Sequence, residues 1–203
     1  AGGAPSFKNY RTPGTKMPYP ASLCTSVNEE VVHGIPGKRV LKEGDIVGLD
    51  IGMQFKGFFT DMAVTLPVGQ VSHDVGELLR TAKKALALGI AEACSGQKTG
   101  DIGEAVQTFV EKKGYGVVRE LVGHGVGASV HEDPEIPNWG RKNSGIPLKP
   151  GMVIAIEPMI TIGSPALEVS PDGWVWRTKS GKPSAHFEHT VLITASAPEI
   201  ITK

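Results

Sequence analysis

Apolar and polar positions alternate in short strand-like runs over most of this chain and change to a helical spacing in two places. After a proline-punctuated, extended lead over residues 1–20, ASLCTSVNEEVVHGIP reads as a strand followed by a turn. EGDIVGLDIGMQFKGFFTDMAVTLPVG reads as a hairpin. With a four-residue loop at Gln54–Gly57, Asp50 and Asp61 are expected directly opposite each other on one face. Val75, Leu78, Leu79, Ala82, Leu86 and Ile90 recur at spacings of three and four, which predicts a helix over 72–93. A second helix is predicted over 102–113, with Asp101 and Glu104 at its start and Gly114 as its stop. The remainder is strand and turn: VIAIEPMI, a turn at Pro171-Asp172-Gly173, WVWRT, a turn over 179–182, and AHFEHTVLIT. The pattern predicts an α+β fold, with two helices on one side of a curved antiparallel sheet and no strong internal repeat.

Bulk properties narrow this picture. A length of 203 residues suits a single domain spanning 1–203 with a real core. Hydrophobic residues at 40% and charged residues at 21% are ordinary for a globular protein. The net charge is zero, so no nucleic-acid groove or polybasic membrane anchor is signalled. No apolar run reaches the roughly 20 residues of a membrane span, and AGGAPSFKNY lacks the layout of a secretory signal. Cys24 and Cys94 are expected as reduced thiols of a cytoplasmic enzyme.

Five residues change the picture more. Asp50 closes the apolar run IVGLD, Asp61 follows the turn in GFFTDMAV, and His124 stands in VGHGVG. Glu157 interrupts MVIAIEPMI, and Glu188 lies in HFEHTVLIT. Taken singly, each has an ordinary explanation: a cap or turn for the aspartates, a hydrogen-bonded loop for His124, an edge-strand end for Glu157. Together they are four carboxylates placed in apolar, β-rich segments. Buried acids are costly unless paired or bound to a cation, and four cannot share a small space without positive charge among them. Carboxylates with one imidazole are the oxygen-rich set that suits divalent ions. Two such ions would balance the charge.

SVNEEVVHGIP, LDIG followed by TDMAV, GHGVG with HEDP, AIEP and FEHTV stand in one order along the chain. In that order the chain resembles the type I methionine aminopeptidases, from about Phe7 to its C-terminal end. The resemblance implies the "pita-bread" fold, with helices on the outer face of a curved antiparallel sheet. It also implies a ligand set in which Asp50 holds one metal, His124 and Glu157 hold the other, and Asp61 and Glu188 bridge them. By the same resemblance, His33 and His131 are non-ligand histidines of the site, and Glu157 also accepts the proton of the attacking water. Tyr19, Cys24 and Trp174 would line a methionine pocket. Without the resemblance, His33 and His131 would read as turn or cap residues and the pocket trio as core.

The implied activity is removal of the N-terminal methionine from nascent polypeptides with a small second residue. The enzyme would be soluble, cytoplasmic and monomeric, acting near the ribosome, with two ions of cobalt, manganese, iron(II) or zinc. The chain departs from the family in four places. Val130 replaces a bulkier residue, RTPGTKMPYP is a few residues longer, and His186 stands where glutamine is frequent. Some tens of preceding residues, including a helix and a strand, are also missing ahead of Ala1. The sequence is therefore expected to be a processed product or fragment, or to be complemented by another chain, with apolar surface and a sheet edge exposed. Three rivals share part of the pattern. Prolidase-like peptidases use the same ligands but bring an extra N-terminal domain. A partner-binding relative without metals should have lost ligands, and an iron oxygenase would use the H-x-D string His131-Glu132-Asp133.

Overall fold

A computed structural model describes residues 2–203. In chain order it holds β1 (Ala4–Pro5), β2 (Cys24–Val27), β3 (Glu30–Val32), β4 (Ile46–Phe55) and β5 (Phe58–Pro67). Helices α1 (His73–Glu92) and α2 (Thr99–Lys112) come next, then β6 (Tyr115–Val117), β7 (Gly123–Gly125), β8 (Glu132–Ile136) and β9 (Val153–Ile156). The chain closes with β10 (Met159–Ile162), β11 (Leu167–Val169), β12 (Trp176–Thr178), β13 (Ser184–His186), β14 (Glu188–Leu192) and β15 (Glu199–Ile200). Among the described residues these strands form one nine-stranded and two three-stranded sheets. The pairings are antiparallel, and the α+β class stands.

The β4–β5 hairpin corrects one expectation. Its turn is the two-residue Lys56-Gly57, with φ of 50° and 85°, not a four-residue loop. Positive φ at both central positions matches the right-handed twist of the flanking strands, and Gly57 adopts it without a Cβ penalty. Asp50 therefore pairs with Ala63, and Asp61 pairs with Gly52. The register differs from expectation by two positions, one full side-chain period. Both acids stay on one face, in diagonal rather than direct opposition.

α1 follows the predicted stripe, burying Leu78, Ala82, Ala85, Leu86 and Ile90, with Ser72 as N-cap accepting from the Val75 N–H at 3.3 Å. α2 begins at Thr99, three residues before the predicted start at 102. Its first turn has no apolar period and is fixed by polar contacts instead. The Asp101 carboxylate accepts from the Lys98 N–H at 2.7 Å and the Asn143 N–H at 2.8 Å. Gly114, at φ 83°, ends the helix as expected. Both helices bury their apolar faces with Ile154 and Ile156 of β9 and Val191 of β14 in one core. The far face of the β4–β5 hairpin carries Ile51, Met53, Phe55 and Phe58, all exposed.

Two strand predictions divide. VIAIEPMI is β9 in the large sheet and β10 in a small one, separated by Glu157-Pro158. AHFEHTVLIT is likewise β13 in the small sheet and β14 in the large one, separated by Phe187. The segments run side by side, Met159 opposite His186 and Ile156 opposite His189. Glu157 thus sits where the chain crosses between sheets, outside either ladder, and Glu188 opens β14 just after the second crossing, opposite Ala63.

Candidate metal centre

The large sheet contains the consecutive order β4-β5-β14-β9-β7. Each of these five adjacent strands supplies one predicted ligand: Asp50, Asp61, Glu188, Glu157 just beyond β9, and His124. Local devices hold each one. The Thr190 hydroxyl accepts from the Asp61 N–H at 2.8 Å and donates to the Asp61 carbonyl at 2.7 Å, replacing a ladder rung beside the acid. Thr65 treats His186 in the same way, accepting from its N–H at 2.9 Å and donating to its carbonyl at 2.8 Å. Gly123 and Gly125 flank His124 because a Cβ at either would overlap the Ala155 or Asp133 carbonyl oxygen. The strand carrying His124 is pressed between β9 and β8, and only glycine permits that approach.

Ligand atoms of Asp50, Asp61 and Glu188 lie within 4.8 Å of one another, as do those of His124, Glu157 and Glu188. Glu188 is common to both groups. A third group joins Asp61 with His124 and His131, so Asp61 also faces both halves. His131, expected as a non-ligand, lies within the same reach. The oxygenase string fails here: Glu132 is turned away to accept from the Ser129 N–H at 2.5 Å, and Asp133 joins no such group among the described residues.

Electrostatics test whether a cation fits. Asp50 Oδ1 and Asp61 Oδ1 are buried without a hydrogen-bond partner. Burial, followed among the raising effects by Glu157, pushes Asp50 up to about 6. Burial and then the neighbouring acids push Asp61 and Glu188 well above the carboxylate range. Burial acts on Glu157 in the same sense, but His186 foremost opposes it, and the carboxyl lies below that range. Buried orphan carboxylate oxygens crowded by like charge are what divalent cations relieve, and this donor set suits them. His124 fits as well. Its Nδ1 lies 2.8 Å from the Gly125 carbonyl, which can only accept, so Nδ1 carries the hydrogen and Nε2 presents a lone pair. That Nε2 lies 3.5 Å from Glu157 Oε1.

Two further histidines edge the site. His33 stands at φ 59°, and burial lowers it to about 4, so it is neutral. Gly34 makes the bend possible, since a Cβ there would overlap the Thr25 carbonyl oxygen. His131, open on one side, is also lowered to about 4, by desolvation first and then by His124. Its Nδ1 lies 2.8 Å from the Tyr10 hydroxyl. A cavity of ≈ 160 Å³ opens onto the acids and histidines. Tyr19, Cys24 and Trp174 line it as expected, in one apolar cluster with Phe7 and Val130. Tyr19 packs edge-on to Trp174 at 5.2 Å and donates to the Gly34 carbonyl at 2.8 Å, while the Trp174 indole donates to the Met17 carbonyl at 2.9 Å. The longer RTPGTKMPYP segment therefore buttresses the cavity wall. Cys24 and Cys94 are both free.

Tyr10, Asn138 and Thr190 were not singled out from sequence. Asn138 Nδ2 donates to the Glu157 carbonyl at 3.0 Å. Only Thr190 carried a usable signal: it lies two residues beyond Glu188 in a strand, and so on the same face. Tyr10 reaches His131 across 121 positions of chain, which no local pattern reports.

The description of metallopeptidase family M24 matches residues 6–195. The chain is a member of that family. Methionine aminopeptidase 1 of Bacillus subtilis is 48% identical over 202 residues, covering 100% of this chain and 79% of the relative. The methionine aminopeptidase of Thermotoga maritima superposes with a TM-score of 0.94 at 45% identity, over 99% of this chain and 79% of that one. A prolidase of Pyrococcus furiosus shares the fold more distantly, with a TM-score of 0.73 at 25% identity over 94% of this chain and 51% of its own. Within the M24 family, whose fold is the expected pita-bread arrangement, the chain groups with the methionine aminopeptidases. It is a metallo-hydrolase, and the family implies divalent metal. Among the described residues no helix is long and apolar enough to cross a membrane.

Proposed function

We propose that residues 1–203 form one metallopeptidase catalytic domain that removes the N-terminal methionine from polypeptides with a small second residue. The observation that carries this reading is the convergence of one ligand from each of five adjacent strands on a small apolar cavity. Asp50, Asp61 and Glu188 would hold one divalent ion, and His124, Glu157 and Glu188 the other, with Asp61 the second bridge. When bound, the ions supply Lewis-acid polarisation of the scissile carbonyl and lower the pKa of water toward neutrality. The donor set admits cobalt, manganese, iron(II) or zinc. Nascent chains in the cytoplasm are the substrates this activity implies.

The chain's own residues supply the rest. Glu157, held as the anion chiefly by His186, accepts the proton of the attacking water. Tyr10 as donor to His131 Nδ1 leaves the hydrogen on Nε2, which donates to the carbonyl oxygen as negative charge develops. His33, neutral beside Trp174, contacts the peptide nitrogen. The cavity is below the roughly 300 Å³ of drug-sized sites and suits one flexible thioether. A large second side chain would move the carbonyl, and about 1 Å of displacement costs on the order of 10² in rate.

Metal-reconstituted protein assayed on Met-Ala-Ser and Met-Lys-Ser peptides tests the reading. Fast release of methionine from the first and slow release from the second is expected. Trp174→Ala should weaken selection for methionine and leave the second-position preference largely unchanged. Equal rates on Met-Ala and Met-Leu peptides, or cleavage of X-Pro peptides without methionine, would overturn it in favour of a prolidase-like activity.

A further inference from the structure

His186 is 3% exposed and sits on β13 at the crossing between sheets. Its backbone N–H and carbonyl are both fixed by Thr65, so the ring has little freedom to leave the site. Nε2 has no partner of hydrogen-bond geometry, yet it lies 3.4 Å from Glu157 Oε2 and 4.0 Å from Glu188 Oε2. The nearer neighbour is the Glu157 carboxylate, which can only accept, so the nitrogen facing it carries the hydrogen. Glu157 is therefore approached from two sides by imidazoles of opposite character. At Oε1 it meets the lone pair of His124 Nε2, 3.5 Å away, and two acceptors facing each other need a cation between them. At Oε2 it meets the N–H of His186.

We propose that His186 is a positioning residue for one of the two metals. Its Nε2, 3.4 Å from Oε2 but outside hydrogen-bond geometry, steers Glu157 as a close electrostatic contact, so that Oε1 stays aligned with His124 Nε2 to receive an ion. The inference rests on the two-metal reading above and adds an asymmetry to it. The ion between His124 and Glu157 depends on His186, and the ion among Asp50, Asp61 and Glu188 does not. The His186–Glu188 distance of 4.0 Å is too long for a comparable anchor on the shared acid.

Stepwise manganese binding to the metal-free protein, followed by titration calorimetry, tests this without any turnover assay. His186→Ala should weaken one binding step by about 10- to 100-fold, the range for losing a partner that orients a ligand, and leave the other step unchanged. His186→Gln should restore most of the lost affinity, because its amide N–H can also donate to a carboxylate. Thermal unfolding of each metal-free variant reports whether it folds. If His186→Ala binds both ions as tightly as the parent, or weakens both steps equally, the anchor is refuted. If His186→Gln fails to rescue and the cobalt(II) visible spectrum of the parent contains a ligand that both variants lose, His186 coordinates the metal itself and the positioning role is wrong. Failure of the parent to release methionine while its binding step still depends on His186 would sink the proposed activity and leave this assignment standing.

Discussion

Asp61 lies within reach of ligand atoms on both sides of the centre, and its Oδ1 has no partner in the protein. Replacing it with asparagine keeps the shape and removes one negative charge. Turnover should fall to background in Asp61→Asn with the fold retained, and metal analysis after dialysis should find fewer than two ions per chain. Normal activity with two ions bound would remove Asp61 from the bridging role. His131 is tested differently, because it donates to substrate in the proposed reaction. His131→Ala should lower kcat by roughly 10²-fold, the scale for losing an acid or oxyanion donor. Its metal content should match the parent, and a variant that loses metal instead would make His131 a ligand. Tyr10→Phe removes the hydroxyl 2.8 Å from His131 Nδ1 and frees the tautomer, so kcat should fall in the same sense but by less.

At the scale of elements, threonine side chains do what backbone ladders do elsewhere. Thr190 satisfies both the N–H and the carbonyl of Asp61, and removing its hydroxyl leaves buried backbone groups unpaired. Unsatisfied groups of this kind cost about 1–3 kcal/mol. Chemical denaturation of metal-free Thr190→Val should therefore show a loss on the order of 2 kcal/mol, with Thr190→Ser close to the parent. An unchanged midpoint would mean that water enters and replaces the hydroxyl. Elements were also where sequence reading reached its limit. The helix stripe of α1 and the glycine stop of α2 were legible because each follows from local period or φ preference. The start of α2 was not, because Asp101 is held by Asn143, 42 positions away. The hairpin register was missed because either loop length keeps both acids on the same face, and only the φ angles at Lys56 and Gly57 select one.

For the whole molecule, the centre ties stability to pH and metal. Asp61 and Glu188 have folded-state pKa values raised well above their ordinary ones. A raised carboxyl stabilises the fold fully below its unfolded pKa and loses that contribution as pH rises through the folded value. Asp50, raised to about 6, behaves alike. His33 and His131, lowered from 6.5 to about 4, oppose this at acid pH, since their contribution is lost as pH falls through that range. Above about pH 6.5 the histidines no longer change, and the acids alone set the slope. Metal-free protein should melt at progressively lower temperature as pH climbs past the histidine range and Asp61 and Glu188 ionise. Manganese should reverse the loss, and by more at the higher pH, because deprotonated ligands bind it. A metal-free melting temperature that rises across this window would contradict the crowding of acids described above.

The sequence by itself marked the four acids as candidate ligands, because acids in apolar β segments are costly wherever the chain takes them, whereas His33, His131 and the pocket residues were legible only through the family resemblance. It determined the α+β class as well, since periods of two and of three to four are local properties of a strand and a helix. How the ligands meet was decided by tertiary structure alone. β14, near the end of the chain, lies between β5 and β9, and that placement turns five scattered positions into one row across the sheet. The crossings at Glu157 and Phe187, the partners of Asp61 and His131, and the approach of His186 to Glu157 all join residues far apart in the chain. Strand order and side-chain contact depend on which surfaces bury each other, and no local pattern encodes that.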